Sequence, residues 1–162
     1  MDYLRDKSSI VSNDAPYGAA KELVYELDRH LAAHSLLHHQ YLKHAWLVPD
    51  AATKTLLQEQ SDDALTHLRT LAENIVWLGG IPISSPCEHE NLSYLEFERE
   101  GLYRASAMLD KDRNDEETVL FRLSITVETA KELAVPRTEA VLRAAYGAAQ
   151  ARGKRLREVT PL

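Results

Sequence analysis

The stretch Glu22–Trp46, ELVYELDRHLAAHSLLHHQYLKHAW, holds five of the chain's seven histidines. Leu23, Leu27, Leu31, His34, His38, Tyr41 and Ala45 recur at steps of three and four, the spacing of one helix face. The period holds from Tyr17 to Leu47, and Pro49 ends it. At about 100° per residue, His34 and His38 fall in the middle of the apolar stripe. His30 and His44 lie at its edge, and His39 points away. One long helix that turns histidines inward predicts an all-α bundle with this segment as its first member.

The rest of the chain extends that pattern. Residues 1–15 are polar and unpatterned, an arm, with Asp14 and Pro16 suited to opening the first helix. Asp50 caps a second helix to Leu78, stopped by Gly79-Gly80 and Pro82. Its stripe is Leu56, Leu57, Ala64, Leu68, Leu71, Ile75 and Leu78, with Gln60, His67 and Asn74 on the same face and Asp63 at its margin. Ile81 to Asn91 is a crossing segment, in which Ser85 to Glu88 has capping-box spacing. Ser93 to Glu96 has the same spacing and predicts a third helix to about Asp112, with Leu95, Leu102, Ser106 and Leu109 inward and Arg99 near the middle. Asn114 to Glu117 predicts the start of a fourth helix to Val135, facing inward through Val119, Leu120, Leu123, Val127 and Ala130. Pro136 breaks it, and Thr138 to Arg157 forms a last helix ending in Arg152, Lys154, Arg155 and Arg157. The expected organisation is an arm (1–15), a four-helix bundle (16–136) with a crossing segment between helices two and three, and an extra C-terminal helix with a basic tail (137–162).

Composition narrows the class. The 162 residues suffice for one domain with a real core. A net charge of −6 argues against a generic nucleic-acid binder, though not against a local basic tail. The single cysteine, Cys87, excludes an internal disulfide and suits a reducing cytoplasm. No apolar run has the length of a signal peptide core or a membrane span, so a cytoplasmic protein is expected.

The inward polar residues carry the chemistry. His34 and His38, one turn apart, form a pair able to grip one ion. His67 approaches from the antiparallel neighbour, with Asp63 and Glu96 as carboxylates. Neutral imidazoles suit Fe(II), Zn(II), Cu(II) and Ni(II). The competing reading is a hydrogen-bonded core, with Arg99 as counter-charge to Glu96 or Asp63 and Glu96 serving the Ser93 capping box. His30, His39, His44 and His89 read as solvent or subunit-contact residues. The basic run either complements the helix macrodipole or holds DNA phosphates.

Leu71-Ala72-Glu73-Asn74-Ile75-Val76-Trp77-Leu78-Gly79-Gly80-Ile81-Pro82 resembles the "LAERIxxLGGxP" ending of the second helix in the Dps-like mini-ferritins of the ferritin-like superfamily. Tyr41-Leu42-Lys43-His44-Ala45-Trp46 is similar to the same family's first helix, where a histidine precedes a tryptophan. The resemblance covers Leu23 to Pro82. It implies a four-helix bundle, assembled as a hollow dodecamer, that oxidises Fe(II) with peroxide or oxygen, stores the ferric product, protects against oxidative stress and in some members binds DNA through basic tails. The family's inter-subunit ferroxidase site falls on Ala45, Lys54, Gln58, Arg69 and Glu73, of which only Glu73 retains a ligand, so that site is expected to be absent. The other arrangement in this superfamily, two irons inside the bundle, takes a Glu from each of two helices and an ExxH from each of the others. It falls on His34, on Ala64 to His67, on Glu96, and on Glu128 to Lys131. The leading expectation is therefore an iron-handling protein with a histidine-rich metal site of His34, His38, Asp63, His67 and Glu96. The alternatives are a ferroxidase-inactive shell or DNA-associated structural protein, and a bundle binding zinc or copper.

Overall fold

A computed structural model describes residues 17–98 and 104–159. The order is α1 (Tyr17–Leu47), α2 (Ala51–Trp77), α3 (Pro86–Leu92), α4 (Ala105–Glu132) and α5 (Pro136–Glu158). α1 and α2 form an antiparallel pair through the short Val48–Asp50 link. α4 and α5 form a second pair, and α1 packs against α2, α4 and α3. Every residue from Leu31 to Leu37 is buried. A helix with one apolar stripe would show gaps there, so α1 is enclosed on more than one side.

The helix ends follow side-chain chemistry. Asp50 accepts from the Thr53 amide at 2.7 Å and from its hydroxyl at 2.7 Å, capping α2. Ser85 and Glu88 form the reciprocal capping box expected for the crossing segment. α2 ends in a Schellman motif: the Gly79 amide donates to the Val76 carbonyl and the Gly80 amide to the Ile75 carbonyl, with Gly79 at φ 83°.

The four-helix bundle and its crossing segment between the second and third bundle helices stand as expected. The division of the second half differs. The helices expected at Ser93–Asp112 and Asn114–Val135 are replaced by a non-helical stretch over 93–98 and one continuous α4. Ser93 is the C-cap of α3, and its hydroxyl accepts from the Leu95 amide at 3.0 Å. Asn114 does not cap, because its carbonyl takes part in the helix and accepts the Thr118 hydroxyl at 3.0 Å. Asp115 and Glu116 turn towards the bundle, so the capping-box spacing there was a coincidence of acidic core contacts. α5 supplies the fourth bundle helix, with Leu142, Ala145, Ala149 and Leu156 buried. The expected arm (1–15), together with Arg99, Leu102 and Tyr103, lies outside the described residues.

α4 ends in the same motif as α2, but with alanine where glycine is preferred. The Ala134 amide donates to the Lys131 carbonyl, the Val135 amide to the Ala130 carbonyl, and Ala134 sits at φ 55°. The left-handed conformation is unfavourable for a residue with a Cβ by roughly 1–2 kcal/mol, partly offset by the greater chain entropy of glycine. Ala134→Gly is expected to raise unfolding stability by about 0.5–1 kcal/mol, read as an upward shift in denaturation midpoint. An unchanged or lowered midpoint would show that Ala134 is not strained.

Candidate functional site

All four bundle helices send a polar side chain to the bundle centre. The Arg152 guanidinium of α5 donates from Nε to Glu116 Oε1 at 2.6 Å and from Nη2 to Glu116 Oε2 at 3.1 Å. Its Nη1 donates to Asp63 Oδ2 at 2.6 Å, where Asp63 stands half-exposed at the margin of the bundle. Tyr41 of α1 donates to Glu116 Oε1 at 2.5 Å. Arg152 is 3% exposed, and Glu116 and Tyr41 are fully buried. Burial alone would lower the Arg152 pKa, but the charge and hydrogen bonds of Glu116, with Tyr41 and Asp63, hold it above its ordinary value. Burial and the neighbouring Glu116 charge push the Tyr41 hydroxyl well up, so it stays protonated and donating.

His34 and His67 flank this ion pair. Their ring centroids lie 6.3 Å apart, and His67 Nε2 stands 3.7 Å from Asp63 Oδ1. His34 Nδ1 donates to the His30 carbonyl at 2.8 Å. With the proton on Nδ1, the buried Nε2 carries a lone pair that finds no partner among the described residues. Burial, then the Arg152 charge, keep the His34 pKa well below its ordinary value. The His67 pKa is also lowered, by burial and Arg152 against the pull of Asp63. Both rings are neutral ligand candidates.

The open lone pair of His34 fits a metal ion. The guanidinium does not, since it already engages both nearby carboxylates. Among the described residues, no group of three or more His, Cys, Asp or Glu side chains is arranged to hold a metal. Of the five residues singled out from the sequence, His34, Asp63 and His67 come together. His38 points to Ser61, with Nδ1 2.8 Å from the hydroxyl and 3.1 Å from the carbonyl, and staples α1 to α2. Glu96 is exposed beyond α3. The third-helix carboxylate at the centre is Glu116, and the fourth-helix segment is Ala149 to Arg152 rather than Glu128 to Lys131, because α5 and not the end of α4 completes the bundle. Glu128 is exposed and pairs with Lys131 at 3.3 Å.

Two histidines expected at the surface are buried. His30 lies between α4 and the 93–98 stretch, with Nε2 2.8 Å from the Thr126 hydroxyl and Nδ1 2.8 Å from the Tyr94 hydroxyl. Thr126 donates its own proton to the Arg122 carbonyl at 3.1 Å. The threonine oxygen therefore accepts from His30 Nε2–H, and Tyr94 donates to Nδ1. Burial, helped by Arg29 and Arg122, lowers the His30 pKa to about 3. His44 is set differently, with Nδ1 2.9 Å from Asp112 Oδ2 and Nε2 2.9 Å from Glu98 Oε2. Burial lowers its pKa, but the two carboxylates outweigh that and hold it above the ordinary value. Gln40 and Lys43 complete this cluster, Gln40 donating to Asp112 and Asp115 and Lys43 to Glu98. The signal missed in the sequence was α4 itself, whose Asp112 and Glu116 recur at helical spacing with Met108, Val119 and Leu123. Arg152 was legible too, lying in the stripe Leu142, Ala145, Ala149, Leu156.

The basic run is not a free tail. Arg152 points inward, Arg155 pairs with Glu59, and Lys154 lies 4.0 Å from Glu158. At the positions of the inter-subunit ferroxidase site, Ala45 is buried, and Lys54, Gln58, Arg69 and Glu73 are exposed.

A helical bundle with a short crossing helix and an inward polar centre on four helices belongs to a recognisable class. Residues 25–153 match the family described as the ferritin-like domain, and the chain belongs to that family. Within it, the fold is that of the Dps mini-ferritins. An archaeal Dps homologue from Halobacterium salinarum superposes with a TM-score of 0.88 at 23% identity, covering 99% of this chain and 95% of that one. The Dps protein of Vibrio cholerae O1, a member of a broad superfamily of ferritin-like diiron-carboxylate proteins, superposes with a TM-score of 0.84 at 14% identity, covering 91% and 95%. In sequence, the chain is 29% identical over 109 residues to a nutrient stress-induced DNA-binding protein of Synechococcus sp., covering 64% of this chain and 62% of that protein. The match thus spans less than two thirds of that relative's length.

Two predictions follow from the geometry. Removing one partner of a buried ion pair leaves an uncompensated charge and typically costs about 3–5 kcal/mol. Glu116→Ala should destabilise the protein by that order in denaturant titration, whereas a loss below about 1 kcal/mol would mean the pair is not structurally important. His30, neutral when folded down to about pH 3, binds a proton first in the unfolded chain. Stability should therefore fall as pH drops below about 6.5, by up to roughly 1.4 kcal/mol per unit from His30. His30→Gln should flatten that slope; an identical slope in the variant would rule out His30 as its source.

Proposed function

We propose that the protein is a Dps-type, self-assembling ferritin-like protein that stores iron and limits oxidative damage, with Fe(II) as substrate and ferric mineral as cargo. The observation that supports this best is the fold, shared along 99% of the chain with a Dps homologue. Exposed Trp46, Leu47, Val76, Ile81, Phe121 and Ile125 suit burial between subunits of a closed shell such as the dodecamer the resemblance implies. A net charge of −6 suits the attraction of cations. Iron, rather than zinc or copper, is the metal the family relationship favours. His34, His67 and Asp63 are the intrabundle residues able to meet Fe(II), but Arg152 engages Asp63 and Glu116. Oxidation at the bundle centre should accordingly be slow.

A second reading, a shell or DNA-associated structural protein without ferroxidase activity, is favoured by the Arg152 ion pairs and by Lys54 and Arg69 at inter-subunit ligand positions. The name of the Synechococcus relative supports the DNA part, while the inward Arg152 and the paired Arg155 weaken the tail as a phosphate contact. Anaerobic Fe(II) loading followed by peroxide or oxygen separates the two. Ferric absorbance that grows and co-elutes with the assembled protein is the expected result. Iron-free assembled protein after oxidation would exclude storage and leave the second reading.

A further inference from the structure

In bundle proteins that hold two metal ions, two helices each contribute one Glu and the other two each contribute an ExxH. Here α1 and α4 contribute single residues, His34 and Glu116. α2 and α5 contribute Ala64-Leu65-Thr66-His67 and Ala149-Gln150-Ala151-Arg152. Both carboxylate positions of these last two are alanines, fully buried. The terminal histidine survives on α2 and is an arginine on α5.

We propose that the Arg152 guanidinium is the resident cation of the bundle centre, standing where two-metal bundles hold their ions, and that its removal uncovers a divalent-cation site made of His34, Asp63, His67 and Glu116. Three observations converge. The guanidinium bridges Glu116 on α4 and Asp63 on α2, with contacts of 2.6 Å to each, so one fixed positive charge ties together carboxylates from two helices as a bound ion would. His34 Nε2 is a fully buried acceptor with no partner among the described residues. Such an atom normally finds a hydrogen bond, and a lone pair left open beside an ion pair is suited to a Lewis acid. Finally, at nitrogen distances of about 2.0–2.1 Å two imidazoles on one ion have ring centres roughly 5 Å apart at a tetrahedral angle and about 6.4 Å apart when trans, so the 6.3 Å between His34 and His67 fits one ion held between nearly opposed rings. Nitrogen and oxygen donors of this mix suit a first-row divalent ion.

The inference stands apart from iron storage, and its test uses Co(II), which under anaerobic conditions reports coordination without redox chemistry. The assembled protein, the Arg152→Ala and Arg152→His variants, and each of these with His34→Ala are titrated with Co(II). Stoichiometry is followed by calorimetry and ligand geometry by visible absorption. The variants should gain one Co(II) per chain that disappears with His34→Ala, while wild-type protein shows no His34-dependent binding and melts at the same temperature with or without EDTA. His34-dependent Co(II) binding by the wild type would overturn the resident-cation claim. Folded, assembled Arg152 variants that gain no such ion would overturn the latent site. Should neither variant assemble, the wild-type arm decides: absence of a His34-dependent ion with an EDTA-insensitive melt supports the proposal, and its presence overturns it. Failure of iron retention would leave these outcomes untouched.

Discussion

A guanidinium buried at the centre of a helical bundle must be compensated on the spot, and the requirement reaches all four bundle helices. Arg152 takes both oxygens of Glu116 and one of Asp63, and Tyr41 adds a third donor to Glu116. Taking Arg152 and Glu116 out of water is expensive, while Asp63 keeps part of its side chain in solvent, so the pair contributes registry more surely than net stability. α5 cannot slide by a turn without withdrawing Arg152 from Glu116, and α2 cannot rotate without losing Asp63. The apolar layers on either side, Leu27 and Leu31 on α1, Leu57 and Leu71 on α2, Leu123 on α4 and Leu142 on α5, fill the bundle but would tolerate other registers more readily.

The same pair sets what the centre can do. A carboxylate-rich interior draws Fe(II) because uncompensated negative charge waits there. With one guanidinium held between two carboxylates, half of that charge is cancelled before an ion arrives, and the oxygens nearest the centre are already engaged. Fe(II) would have to displace a cation covalently tethered to α5, which has no translational freedom to recover. The neighbouring rings are neutral and add no attraction of their own. A ferritin-like fold can therefore be complete with an ion pair at its centre, and fold does not by itself fix activity.

The first half of the fold was legible because its signals are local and agree with one another. Leu23, Leu27, Leu31 and Tyr41 mark one face, Asp50 and Gly79 mark the ends of α2, and the Ser85 box marks the crossing segment. The second half misled because acidic residues carry two meanings. Asn114 to Glu117 has the spacing of a helix start, yet Asp115 and Glu116 reach Gln40, Tyr41 and Arg152 across the bundle. Sequence separations of 36 to 75 residues are invisible to a periodicity argument. Once α4 is one helix, α5 has to be the fourth bundle member, and the tail arginine becomes the central one. His34 and His67 drew attention because they lie on apolar stripes, and Asp63 because it lies at the margin of one. Glu116 and Arg152 were missed because their partners were assigned to the wrong elements.

The histidines of α1 show what burial does and does not say about metal binding. His30 places each ring nitrogen against a hydroxyl, one accepting and one donating, and is a satisfied neutral residue. His44 places each nitrogen against a carboxylate and is held towards the imidazolium, a charge that anchors Glu98 and Asp112 to α1. His34 satisfies one nitrogen with the carbonyl one turn back and leaves the other open. All three are fully buried on the same helix. What separates them is the second nitrogen: donor, acceptor or nothing. An imidazole whose first nitrogen is fixed by a backbone carbonyl has its tautomer and orientation set in the way that ligating histidines do. Among these three, only His34 combines that fixed tautomer with an unused lone pair, and it is also the one that faces Arg152. The helix that first drew attention for the number of its histidines thus matters for one of them, and for the cation standing opposite.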